Sequence, residues 1–107
     1  MLRVNMAGLT HSEILEAGSA HPALPAALRL AGDAERACGL RPAWASAMGE
    51  AGFQLGYNLR RGKVEVLVGP GGAVRYYSII DGKASDGWRV AYWAGLVNLL
   101  GQVAGRP

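Results

Sequence analysis

The chain has 107 residues, 50% of them hydrophobic and 18% charged, which excludes a disordered chain and predicts a single domain with its own core. The net charge of +3 is unevenly placed: residues 1–56 carry four basic and five acidic side chains, and residues 57–107 carry seven and three. The basic excess of the second half points to an anionic partner but is small. The lone cysteine, Cys38, excludes an intramolecular disulfide, so a reducing compartment is expected. The first residues, Met1 to Met6, lack the apolar stretch of a signal peptide, and the expected location is cytoplasmic.

In chain order, residues 1–52 read as short helices. Thr10, His11, Ser12 and Glu13 form a capping-box pattern, in which the threonine hydroxyl and the glutamate carboxylate each satisfy a free amide of the first turn. The helix it opens ends near Gly18. A second helix spans 22–31, with Leu24, Leu28 and Leu30 inward and Gly32 as its stop. Asp33 caps a short turn through Cys38 that ends at Gly39. Pro42 then sits at the first position of a third helix, with Trp44, Ala47, Met48 and Ala51 on one stripe.

Residues 53–80 alternate at period two and predict a three-stranded antiparallel meander, with strands 53–60, 63–68 and 74–80. With Arg61 and Gly62 as a two-residue loop, Leu59 pairs with Val64, Tyr57 with Val66 and Leu55 with Val68. The loop 69–73 then closes with Val68 opposite Val74, Val66 opposite Tyr76 and Val64 opposite Ser78. Both turns put the large aliphatic residues on one face. A slip of one residue would reverse every strand. The other face carries Gln54, Asn58, Arg60, Lys63, Glu65, Arg75 and Tyr77, with Leu67 and Ile79 as apolar exceptions.

Asp81, Gly82 and Lys83 form a turn, and Ser85 or Asp86 caps a long helix over 86–104 whose bulky stripe runs from Trp88 to Val103. The charge-free run of sixteen residues at 90–105 is shorter than the ~20 needed to span a bilayer and contains Asn98 and Gln102, so no membrane role is expected. The small opposite face, with Ala91, Ala94, Gly95, Asn98, Gly101 and Gln102, offers a homodimer contact. The expected fold is therefore α+β: a helical N-terminal half, the meander, and the C-terminal helix laid on the sheet's aliphatic face.

No catalytic, cofactor-binding or metal-binding set emerges. His11 and His21 are ten residues apart and Cys38 is not at ligand spacing from either, so a first-turn residue and a loop residue describe them better than a zinc site. Ser12 follows His11, but neighbours on a helix point apart. The glycines at 69, 71 and 72 resemble a phosphate loop in composition alone, since a strand follows where a helix N-terminus is needed. What remains is the polar sheet face: Arg60, Arg61, Lys63, Leu67, Arg75 and Tyr77. Low overall charge together with Leu67 and Ile79 on that face predicts a non-enzymatic protein–protein interaction module (accessory subunit, adaptor or inhibitor) that docks on a larger partner. The alternative is nucleic-acid binding, with the four cations on phosphates and Tyr77 stacking on a base. Against it, basic residues on exposed strands also serve to block edge aggregation, and Glu65 partly neutralises the patch.

Overall fold

The computed structural model describes residues 8–17, 20–84, 89–91, 95 and 100. Two helices, α1 (His11–Ala17) and α2 (Leu24–Cys38), precede strands β1 (Trp44–Ala47), β2 (Phe53–Leu59), β3 (Gly62–Val68), β4 (Val74–Ile80), β5 (Lys83–Ala84) and β6 (Arg89–Ala91). All strand pairings are antiparallel. The sheet is five positions wide, in the order β1-β2-β3-β4, with β5 and β6 sharing the outer flank of β4. Helices and an antiparallel sheet are both present, but the arrangement is not the expected one, and it departs from it at several points.

The first difference is at 42–51, where a helix was expected. Trp44–Ala47 is a strand, followed by a short 3₁₀ turn at Gly49–Ala51. The alanine-rich sequence favours a helix locally, but pairing with β2 (Trp44 opposite Gly56, Ala47 opposite Phe53) overrides that propensity. Helix α1 enters beside this strand, because Leu9 N–H donates to Pro42 C=O (2.7 Å). Its capping box forms as expected: Thr10 N–H donates to Glu13 Oε1 (2.8 Å) and Glu13 N–H to Thr10 Oγ1 (3.3 Å).

Helix α2 is longer than its expected stop at Gly32. The buried stripe Leu24, Ala27, Leu30, Ala31 and Ala34 continues past the glycine. Packing on the sheet outweighs the ~1 kcal/mol that an interior glycine costs a helix. The actual stop is Gly39, at φ 72°, whose N–H caps Glu35 C=O (2.8 Å). Cys38, half-buried, donates its thiol to Ala34 C=O (3.1 Å).

The second difference is the β2–β3 register. The loop is Arg60 and Arg61, so Leu59 pairs with Gly62, Tyr57 with Val64, Leu55 with Val66 and Phe53 with Val68. Each partner moves by two residues, which keeps every side chain on its expected face. Gly62 belongs to the strand because it pairs on both sides, with Leu59 and with Ile80. At φ 157° a Cβ there would collide with the carbonyl oxygen of Ile79, so only glycine fits. The β3–β4 register, Val68–Val74, Val66–Tyr76 and Val64–Ser78, is the expected one.

The third difference contradicts the long C-terminal helix expected over 86–104: Arg89–Ala91 is extended, Gly95 and Leu100 are helical, and the rest of that range lies outside the described residues. Arg89–Ala91 is strand β6, paired with Val74, Arg75 and Tyr76, and Lys83–Ala84 pairs with Ile80 and Ile79. The cause is the turn: Asp81 (φ 53°) and Gly82 (φ 80°) are both left-handed, the geometry that folds a strand straight back on its neighbour. Ala84 and Arg89 are five positions apart, while their partners Ile79 and Tyr76 are three apart, so the flank is two ladders rather than one. Ala91, expected on the helix's small face, is in β6; Gly95 is exposed, and the other residues of that face lie outside the described part.

The core lies between the helices and the aliphatic sheet face. Phe53, Leu55, Tyr57, Val64, Val66, Val68 and Val74 meet Ile14, Leu24, Ala27, Leu30, Ala31 and Ala34, with Leu100 buried among them. Helices α1 and α2 thus cover the aliphatic sheet face, and the helical residue Leu100 joins them in the core. Burying each such aliphatic or aromatic side chain contributes ~1.5–3 kcal/mol.

Candidate docking face

With the helices on the aliphatic side, the even-numbered residues of β2 and their partners form the opposite face. Cross-strand rows run over it. One joins Trp44, Gly56, Glu65 and Tyr77; a second joins Ser46, Gln54, Leu67 and Arg75; a third joins Asn58, Lys63, Ile79 and Ala84.

The first row is anchored by Trp44. Its indole atoms Cε2, Nε1 and Cζ2 fill the space where a side chain at position 56 would begin. Gly56 is buried beneath it, while Trp44 keeps 37% of its surface exposed. Next in the row, Glu65 is held from two sides: Gln54 Nε2 donates to its Oε1 (3.2 Å) and Lys63 Nζ pairs with its Oε2 (3.2 Å). Tyr77, half-buried, ends the row on β4.

The six residues expected to form the site do not make one basic patch. Arg60 is exposed in the β2–β3 loop. Arg61 binds the Asp81 carboxylate through Nε (3.1 and 3.0 Å) and a terminal nitrogen, and Asp81 N–H donates to Arg61 C=O (2.8 Å). This side-chain hydrogen bond raises the Arg61 pKa and lowers that of Asp81. Lys63 is neutralised by Glu65. Arg60 and Arg75 are the two cations of the group without an ion-pair partner among the described residues. Leu67 and Arg75 stand opposite each other and, with Ala51, Gly69 and Ala73, line a recess of about 210 Å³ at one end of the face. The sequence reading missed Trp44, assigning it to a helix stripe. A glycine in mid-strand between Leu55 and Tyr57 is the signal that another group approaches the backbone there.

His21 is structural. Ala23 N–H can only donate, so Nδ1 accepts it (3.0 Å); the ring proton is then on Nε2, which donates to Gly49 C=O (2.7 Å). The ring also meets Phe53 edge-on, centroids 6.1 Å apart. Among the described residues, no three His, Cys, Asp or Glu side chains converge as metal ligands, and no helix is long and apolar enough to cross a membrane. Tyr57 is buried with no hydrogen-bond partner for its hydroxyl among the described residues; burial, with a smaller contribution from Cys38, raises its pKa well above the ordinary tyrosine value.

No protein-family model, curated protein or solved structure matches this chain.

Proposed function

We propose that this chain is a non-enzymatic interaction module that docks on a larger protein through the sheet face opposite α1 and α2, as an accessory subunit, adaptor or inhibitor. The observation that carries the reading is Trp44: a large aromatic held over Gly56, more than a third exposed, with Leu67, Tyr77 and Ile79 on the same face of β3 and β4. Tryptophan and tyrosine in such settings dominate protein interfaces, because they bury much area with little loss of side-chain freedom. Glu65 and Lys63 are paired with each other, so among the described residues a partner covering this face meets one cation without an ion pair, Arg75 opposite Leu67, beside a neutralised polar network. With a single cysteine, the module suits a reducing, cytoplasmic setting.

Nucleic acid is the weaker occupant, since Asp81 and Glu65 occupy two of the four cations. A tagged pull-down from host lysate separates the two. The expected result is a discrete protein that survives nuclease treatment and is lost with Trp44→Ala or with Leu67→Ala combined with Tyr77→Ala. Capture that disappears with nuclease and weakens steeply with salt would replace the protein partner by nucleic acid. Capture unaffected by these substitutions would remove the face from the reading.

A further inference from the structure

At the end of the sheet where β1 and β3 finish, an open groove of about 840 Å³ lies between the α1–α2 connection, the 3₁₀ turn and the β3–β4 loop. Ala20, Pro22, Ala47 and Pro70 give it an apolar lining, and Glu16 and Glu50 add two carboxylates. The hydrogen bond from His21 to Gly49 C=O ties one wall to the other, so the groove is preformed.

The two carboxylates differ from every other acidic side chain among the described residues. Glu13 is engaged in the capping box, Asp33 pairs with Arg36, Glu35 with Arg41, Glu65 with Lys63, and Asp81 with Arg61. Glu16 and Glu50 have no such partner among the described residues, and both line this groove. On a chain of net charge +3, the unpaired negative charge of the described residues is therefore gathered beside one apolar surface. A cation is repelled by the molecule as a whole and attracted here, which gives specificity as well as attraction.

The geometry points to a second docking site, distinct from the sheet face: the groove takes a partner-protein segment carrying arginine or lysine next to small or aliphatic residues. The apolar stem of such a side chain covers the alanine and proline lining while its head reaches the carboxylates.

The test uses ¹⁵N-labelled full chain titrated with a pool of acetylated, amidated hexapeptides, arginine fixed at the second and fifth positions and alanine, leucine or proline elsewhere. The control pool carries glutamine in place of arginine. The expected result is saturable shifts of the Ala47, Gly49, Glu50 and Gly69 amides with the arginine pool, weakened by added salt. The combined variant Glu16→Gln, Glu50→Gln should bind roughly fivefold to tenfold more weakly, as two exposed ion pairs warrant. Both residues are exposed, and the variant's own spectrum checks that it is folded. Equal shifts with the glutamine pool, undiminished binding by the double variant, or no shifts at millimolar peptide would each overturn the site. None of these outcomes bears on Trp44 and the sheet face.

Discussion

Trp44 and Gly56 stand opposite each other on β1 and β2, and the indole of the first occupies the volume a side chain on the second would need. The glycine is a weak strand former, and the aromatic covers the backbone it leaves bare. Gly56→Ala should therefore destabilise the protein by ~1–3 kcal/mol through overpacking. In a Trp44→Ala background the same change should be neutral or mildly stabilising. Urea denaturation of the four members of this cycle measures the coupling, and a coupling near zero would show that the two residues do not share the space.

Tyr57 has the opposite problem, a polar atom with nothing to bind. Its hydroxyl is buried and unpartnered, so Tyr57→Phe should raise stability by ~1 kcal/mol, read as a higher urea midpoint with an unchanged slope.

The same residue sets an alkaline limit. Because the folded-state pKa lies above the unfolded value of ~10, the neutral tyrosine's contribution is complete below that pH and is lost as pH rises beyond it. Stability should fall by up to ~1.4 kcal/mol per pH unit above ~10, in excess of the loss shown by Tyr57→Phe in parallel titrations. Identical alkaline profiles for the two proteins would mean that the hydroxyl is solvated.

Two leucines one helix apart test the core assignment. Leu30 is fully buried on α2 and Leu15 is 46% exposed on α1. Leu30→Ala should cost ~2–5 kcal/mol, whereas Leu15→Ala should stay within ~0.5 kcal/mol, both from equilibrium unfolding.

His21→Ala removes the acceptor for Ala23 N–H and the donor to Gly49 C=O. Destabilisation of ~1–3 kcal/mol is expected, with faster hydrogen exchange at the Ala23 amide in the native state. Unchanged exchange there would show that the ring does not hold the α1–α2 connection.

What the sequence determined by itself is local and periodic. The capping box of Thr10 and Glu13 needs only four consecutive residues. The alternation from Phe53 to Ile80 puts Leu55, Tyr57, Val64, Val66 and Val68 on one face, and that assignment survives the shift in hairpin register because the shift is even. What tertiary structure decided is every element whose local preference was ambiguous or outvoted. The segment at 42–51 has helical spacing, yet its Trp44–Ala47 part pairs with β2, which supplies backbone partners there and space for the Trp44 ring over Gly56. Helix α2 runs past Gly32 because its buried stripe continues. The turn at Asp81 and Gly82 is expected from the sequence, but that it returns the chain along β4 as β5 and β6 is decided by the left-handed geometry of both residues and by pairing with β4. The candidate site followed the same division. Leu67, Arg75 and Tyr77 could be assigned to a face from parity alone. The pairing of Arg61 with Asp81 depends on two turns meeting in space, as does the burial of Gly56 under Trp44 on strands meeting there, and neither contact has a signature in residue spacing.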